Sequence, residues 1–255
     1  MAAASTLLRL PSRSAPNSQD PVPRVYPSLL ARPTRRRLLR AASCSPSPPP
    51  PSAPLDFPLL PFPPAEVLIP SECKTLHLYE ARYLALLEEV QKLDLGALVS
   101  IRGLCRVNIK NLLQMEPYLR GDISPMMDKF SGGTELGMRI SKLREGMCNL
   151  HSLQMKLKVP EDEPLQTNIK SSLLWSEKEI FEDYDNEFIP GLPERLSFAA
   201  YQSVSGMSDA ELLTLQKYKI KAMDLTDTLE RINSGIEYVE HNIGMIAARL
   251  AIQNI

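Results

Sequence analysis

The chain has 255 residues, with 29 basic residues set against 30 acidic ones. No window of 18 or more apolar residues occurs, so no membrane span is expected. The four cysteines, Cys44, Cys73, Cys105 and Cys148, form no CxxC and no Cys/His spacing, which argues against a zinc site and against a disulfide framework.

Residues 1–54 differ in composition from the rest. They hold eight Arg, no Lys and one acidic residue, Asp20, together with nine Ser and twelve Pro. Too little apolar area is available to offset the entropy of ordering such a stretch, so it is expected to be disordered. Arg-rich, Ser-rich, nearly acid-free composition is that of a mitochondrial or chloroplast transit peptide. The competing reading is a basic tail that binds nucleic acid through phosphates, with Arg35, Arg36 and Arg37 as its best support. Setting this leader aside leaves 21 basic and 29 acidic residues, a balance that disfavours a nucleic-acid partner for the remainder.

From Leu55 the chain carries short apolar pieces between prolines, Leu55 to Phe62 and then Glu66 to Pro70, which read as edge strands. Tyr79, Tyr83, Leu86, Leu87 and Val90 recur at helical spacing and predict a short amphipathic helix. Residues 97–109 are rich in branched side chains, with Gly103 marking a turn or bulge between two strand pieces. Leu112 to Met126 adds strand material closed by Tyr118-Leu-Arg-Gly, and Met126 to Thr134 reads as loop.

The periodicity then lengthens. Leu136, Ile140, Leu143, Met147, Leu150 and Leu157 lie along one stripe and predict a long helix, broken by Pro160 to Pro164. Pro190 to Pro193 opens another helix containing Leu196, Ala199, Ala200 and Val204. Ser208 with Glu211 fits a capping box, and Asp224 with Asp227 marks a further helix start. After it Leu225, Leu229, Ile232, Ile236, Val239, Ile243, Ile246 and Leu250 form a seam. The seam from Leu225 to Leu250 fits either a homodimeric coiled coil or burial against helices of the same chain. The fold class is α+β: a β-rich part over 55–130 and a helical part over 135–255 of one domain.

Reactive constellations are scarce. His77, His151 and His241 sit in no recognisable motif, Cys148 with His151 makes at most half a metal site, and no Walker loop or GxSxG elbow is present. The carboxylates Glu179, Glu182, Asp183, Asp185 and Glu187 read as a solvated loop. No catalytic, metal or cofactor site is expected, and the chain reads as a non-enzyme.

The pieces Leu59-Leu-Pro-Phe, Glu66-Val-Leu-Ile-Pro and Leu76-His-Leu-Tyr-Glu-Ala-Arg-Tyr resemble the opening of the N-terminal, substrate-binding domain of Lon proteases. Glu80, Arg82 and Tyr83 fall on its distinctive E-x-R-Y positions, and Gly103, Arg106, Val107 and Ile109 on a later G-x-x-R-[FV]-x-I strand. Leu212 to Arg231 resembles the segment where a short helix gives way to a long one. Plant chloroplast proteins carrying this domain alone are similar in plan, and their precursors favour the chloroplast stroma, with the mitochondrion as second choice. The resemblance implies a PUA-like β half, a helical bundle with a long C-terminal helix, and binding of unfolded or client polypeptides in organellar quality control, as an adaptor to a protease. Only six residues separate Glu89 from Gly96 where the family places at least two strands, so the β half is expected to be incomplete, as in an internal deletion at Val90 to Leu95. Apolar contact with polypeptide would draw on Phe57, Phe62, Met115, Met126, Met127 and Phe130. The rival functions are an RNA-binding PUA-like module and a component of an ATP-dependent protease.

Overall fold

The computed structural model describes residues 55–90, 97–129, 133–157, 168–181 and 184–253. The leader, the junction at Val90 to Leu95 beyond Val90 itself, Phe130 and the acidic break at Pro160 to Pro164 lie outside the described residues. What is described is an α+β chain with five strands and six α-helices.

Strands β1 (Leu55–Leu59), β4 (Arg106–Gln114) and β5 (Leu119–Met126) form an antiparallel sheet in the order β1-β5-β4, and β2 (Cys73–Leu78) pairs with β3 (Ala97–Arg102) as a separate antiparallel ribbon. Alternation decides which faces are dry. In the three-stranded sheet Leu59, Val107 and Ile123 turn inward with Cys105 and Phe188, while Asp56 and Arg120 pair on the other face at 3.0 Å. A two-stranded ribbon is marginal alone. Helix α1 (Ala81–Val90) supports this one, since Leu86 joins Leu78, Val99, Ile101, Leu68 and Tyr118 in a single buried cluster.

The ribbon's first strand was not legible as one: Cys73–Leu78 alternates weakly, and helical spacing beginning at Tyr79 drew the reading toward α1. The piece Glu66 to Pro70 is not a strand either. A short 3-10 turn covers Pro64–Glu66, and Pro70 makes only an isolated parallel bridge to Gly103. Gly103 does divide two strands, but β4 runs on to Gln114, and the expected piece from Leu112 to Met126 is broken by a hairpin turn containing a cis Glu116–Pro117 bond.

The helical half follows its stripes. Helix α2 (Thr134–Gln154) buries Leu136, Leu143, Met147 and Leu150, and α6 (Thr228–Gln253) buries Ile232, Ile236, Val239 and Ile246 of the seam. These two helices pack on each other, with Leu229, Ile243 and Leu250 partly buried against the same core. The seam is therefore covered from within the chain. Helix α3 (Asn168–Ser176) was not predicted, and α4 (Leu192–Ala199) ends before Val204, which is buried in the following turn.

Helix α5 (Asp209–Asp224) begins with the predicted capping box: Ser208 N–H donates to Glu211 Oε2 at 2.6 Å and Glu211 N–H donates back to Ser208 Oγ. The Glu211 carboxyl lies below its ordinary range, chiefly through the Ser208 backbone hydrogen bond and also through Arg249. Ser208→Ala removes one acceptor at the helix start, and urea unfolding should show a loss of about 1 kcal/mol. An unchanged midpoint would mean the box contributes nothing. At the next helix start Glu230 N–H donates to the Asp227 carboxylate at 3.0 Å, so Asp227, not Asp224, is the capping residue.

Candidate functional site: a cleft beside the β4–β5 hairpin

The residues singled out by resemblance separate into two places. Glu80 ends the approach to α1, its carbonyl accepting from Tyr83 and Leu84 N–H. Its carboxylate accepts from Arg82 Nε at 2.6 Å, and the guanidinium lies over the Tyr83 ring with 4.6 Å to the centroid. Tyr83 is half-buried on the ribbon's core. The motif thus builds a surface wall in which Glu80 holds Arg82 across an aromatic face.

That wall closes one side of a cleft of about 580 Å³. Leu59 and Pro61 line it from the β1 end, and Met115, Glu116, Pro117, Tyr118 and Leu119 line it from the hairpin. Gln114 Nε2 donates to the Tyr118 carbonyl at 3.2 Å, which fixes the turn. Met115 is 72% exposed, and Leu112 and Leu113 just before it are also exposed. Two successive exposed leucines on a strand violate simple alternation. The cause is a register shift between Leu112 and Gln114, one of two in β4, which leaves Leu113 without an opposite residue on β5.

The other expected polypeptide-contacting residues are scattered. Phe57, partly buried, packs edge-on against Phe188 of the sheet's core, with centroids 5.6 Å apart. Phe62 sits on the ribbon's cluster with the Lys74 ammonium 5.5 Å above its ring. Met126 is half-buried at the end of β5. Met127 borders a separate cleft of about 220 Å³, with Leu136, Ile189, Pro190 and Pro193 as apolar walls.

At the foot of that second cleft lies a charge network which sequence reasoning did not anticipate. Arg106, expected only as a family strand position, is buried at the start of β4 and donates to the carbonyls of Met223 at 3.1 Å and Leu225 at 2.6 Å. Its other terminal nitrogen, Nη2, donates to the carboxylates of Asp128 and of Glu194, the latter at 3.0 Å. Arg231 of α6, wholly buried, donates to Asp128 Oδ2 at 2.6 Å, to Ser197 Oγ at 3.1 Å and to the Ala222 carbonyl at 2.8 Å. Thr228 adds a hydroxyl bond to Asp128, and Glu194 accepts the Asp128 backbone N–H at 2.9 Å. Both guanidinium groups flank the Phe198 ring, at 5.4 and 4.2 Å.

Two guanidinium and two carboxylate groups balance, and each carboxylate oxygen has a donor. Burial alone would raise the Asp128 carboxyl, but bonds from Arg231 and Thr228 and the charges of both arginines hold it below the ordinary carboxylate range. Nearby, burial pushes the Cys105 thiol up to about 12, with Glu194 adding to the effect, so it stays protonated and unreactive. With both carboxylates satisfied, the network fastens the sheet to α4, α5 and α6, and of its guanidinium nitrogens Arg106 Nε is buried without a hydrogen-bond partner. Its one sequence signal is the stripe Arg231, Gly235, Tyr238, Asn242 on α6, buried beside the seam and carrying a charge.

Arg195 plays a similar part a turn away. It donates to the carbonyls of Ser176, Pro190 and Lys178 at 3.0, 2.7 and 2.8 Å, and its guanidinium lies 4.9 Å from the Phe181 ring. Burial lowers its pKa from the ordinary arginine value. The loop after α3 is therefore pinned to α4 at both of its described ends. Compared with protein-family models and with curated proteins, the chain gives no match to either.

Proposed function

We propose that the chain is a relative of the Lon N-terminal domain, with a PUA-like β half, that binds exposed apolar segments of unfolded polypeptides without covalent chemistry. Its place would be organellar protein quality control, in the chloroplast stroma or, as second choice, the mitochondrion, acting as an adaptor to a protease. The observation that supports this reading is the hairpin cleft. It joins the E-x-R-Y residues Arg82 and Tyr83 to Met115, the most exposed of the described residues expected to contact polypeptide. Methionine suits such a role because its flexible, polarizable side chain adapts to varied partners, and tyrosine because it offers large contact area at low entropic cost.

Fluorescence anisotropy with unfolded, carboxymethylated protein fragments tests it. Met115→Asp places a charge where apolar contact is needed, on a side chain that contributes little to the core. It should weaken binding about tenfold, a loss of roughly 1.4 kcal/mol, with the thermal unfolding midpoint unchanged. If no unfolded fragment binds the wild-type protein at about 100 µM, where association is worth only roughly 5.5 kcal/mol, the reading fails.

A further inference from the structure

We propose that the client lies along the outer edge of β4 as an added antiparallel strand, with an apolar side chain in the hairpin cleft and an acidic residue beside Lys110. The inference rests on the polypeptide-binding reading and specifies how the segment is held. Among the described residues β4 pairs on one side only, with β5, so its other edge presents backbone donors and acceptors that an extended chain satisfies. The opposite edge of the same sheet is a poor alternative. Strand β1 spans five residues and contains Pro58, which has no N–H to offer.

Beyond buried Arg106 and Val107, the strand from Asn108 to Gln114 gives an edge roughly 23 Å long. It ends at exposed Leu112 and Leu113, and Met115, one residue beyond β4, lines the 580 Å³ cleft, so a strand laid on the edge and continued past the hairpin meets that apolar wall. Midway along the edge Lys110 is exposed, sits at the first register shift and has no ion-pair partner among the described residues.

That ammonium discriminates among occupants. A second copy of β4 paired antiparallel about Lys110 would bring two ammonium groups together, and like charges facing across strands are destabilising. The chain's own leader, with eight arginines and one acid, is disfavoured for the same reason. A client strand with apolar residues and one Asp or Glu meets the lysine with the complementary charge.

The test uses the full chain and an eight-residue apolar peptide with a central Asp, followed by anisotropy. N-methylation of alternate residues removes N–H donors from one edge of the peptide at a time. One methylated set should lose binding at least tenfold while the other binds like the parent. Replacing the central Asp by Lys should weaken binding to the wild type, and Lys110→Glu should reverse that preference. Equal binding by both methylated sets, or a preference unmoved by Lys110→Glu, would overturn strand addition while leaving Met115-dependent polypeptide binding intact. A dimer that the peptide dissociates would also overturn it, assigning the edge to a second copy. Because the methylated peptides alter only the ligand, that arm is independent of how any variant folds.

Discussion

Asp128→Ala should lower the free energy of unfolding by about 3–5 kcal/mol, the usual consequence of leaving a buried charge without its partner. The carboxylate accepts from Arg106, Arg231 and Thr228, and both arginines are buried, so removing it strands positive charge that water cannot reach. Loss of the pairwise attraction matters less than the desolvation left uncompensated. For that reason Asp128→Ala combined with Arg231→Met should be less harmful than Asp128→Ala alone, a departure from additivity that a double-mutant cycle in urea reads directly.

The same group shapes the response to acid. Its folded pKa is depressed below the unfolded carboxylate value of about 3.9. A depressed carboxylate contributes its stabilisation in full above the unfolded value, and that contribution disappears as pH falls through the folded one. Wild-type stability should therefore drop below about pH 4, and the drop should be shallower in Asp128→Ala. Parallel acid limbs for the two proteins would show that Asp128 is not held as described.

Gly103→Ala is expected to be the other severe change, costing about 3 kcal/mol. An added Cβ would stand 2.2 Å from the Ile69 carbonyl oxygen and 2.8 Å from its carbon, both backbone atoms. Relief requires the segment from Val67 to Pro70 to move. Ile69, wholly buried in the helical core, would move with it, and the bond from Ser71 N–H to the Gly103 carbonyl would be strained. Gly137→Ala in α2, where nothing lies within 4 Å, should instead stabilise by up to about 1 kcal/mol through helix propensity. Equal effects at the two sites in urea unfolding would mean the contact at Gly103 is not tight.

Local chemistry was legible in the sequence, and distant pairing was not. The Ser208–Glu211 box, a helix start near Asp224 and Asp227, the α2 stripe and the seam each depend on residues within a turn or two of one another, so spacing alone exposes them. The seam left two partners open, and among the described residues α2 packs on it from within the chain. Strand β2 escaped notice because Cys73, Thr75 and His77 face outward without a clear polar-apolar alternation, and α3 because its buried face includes Ser172 and Ser176. At the hairpin, Met115 was legible as an adaptable apolar side chain, but its meeting with Arg82 and Tyr83 follows from sheet and helix placement. Nothing in sequence spacing links Arg106, Asp128, Glu194 and Arg231, since the partners lie 22, 88 and 103 positions apart.

Those separations bear on how the chain is made. A ribosome adding roughly 5–20 residues per second releases Arg106 and Asp128 several seconds before Arg231, the last member of their set. Until the end of α5 emerges, the nascent sheet carries a guanidinium lacking the carbonyls of Met223 and Leu225 that later receive it, and until α6 follows, Asp128 lacks Arg231. The sheet's final closure is thus deferred to the end of translation, and a nascent chain stopped before α6 would keep its N-terminal half loosely assembled.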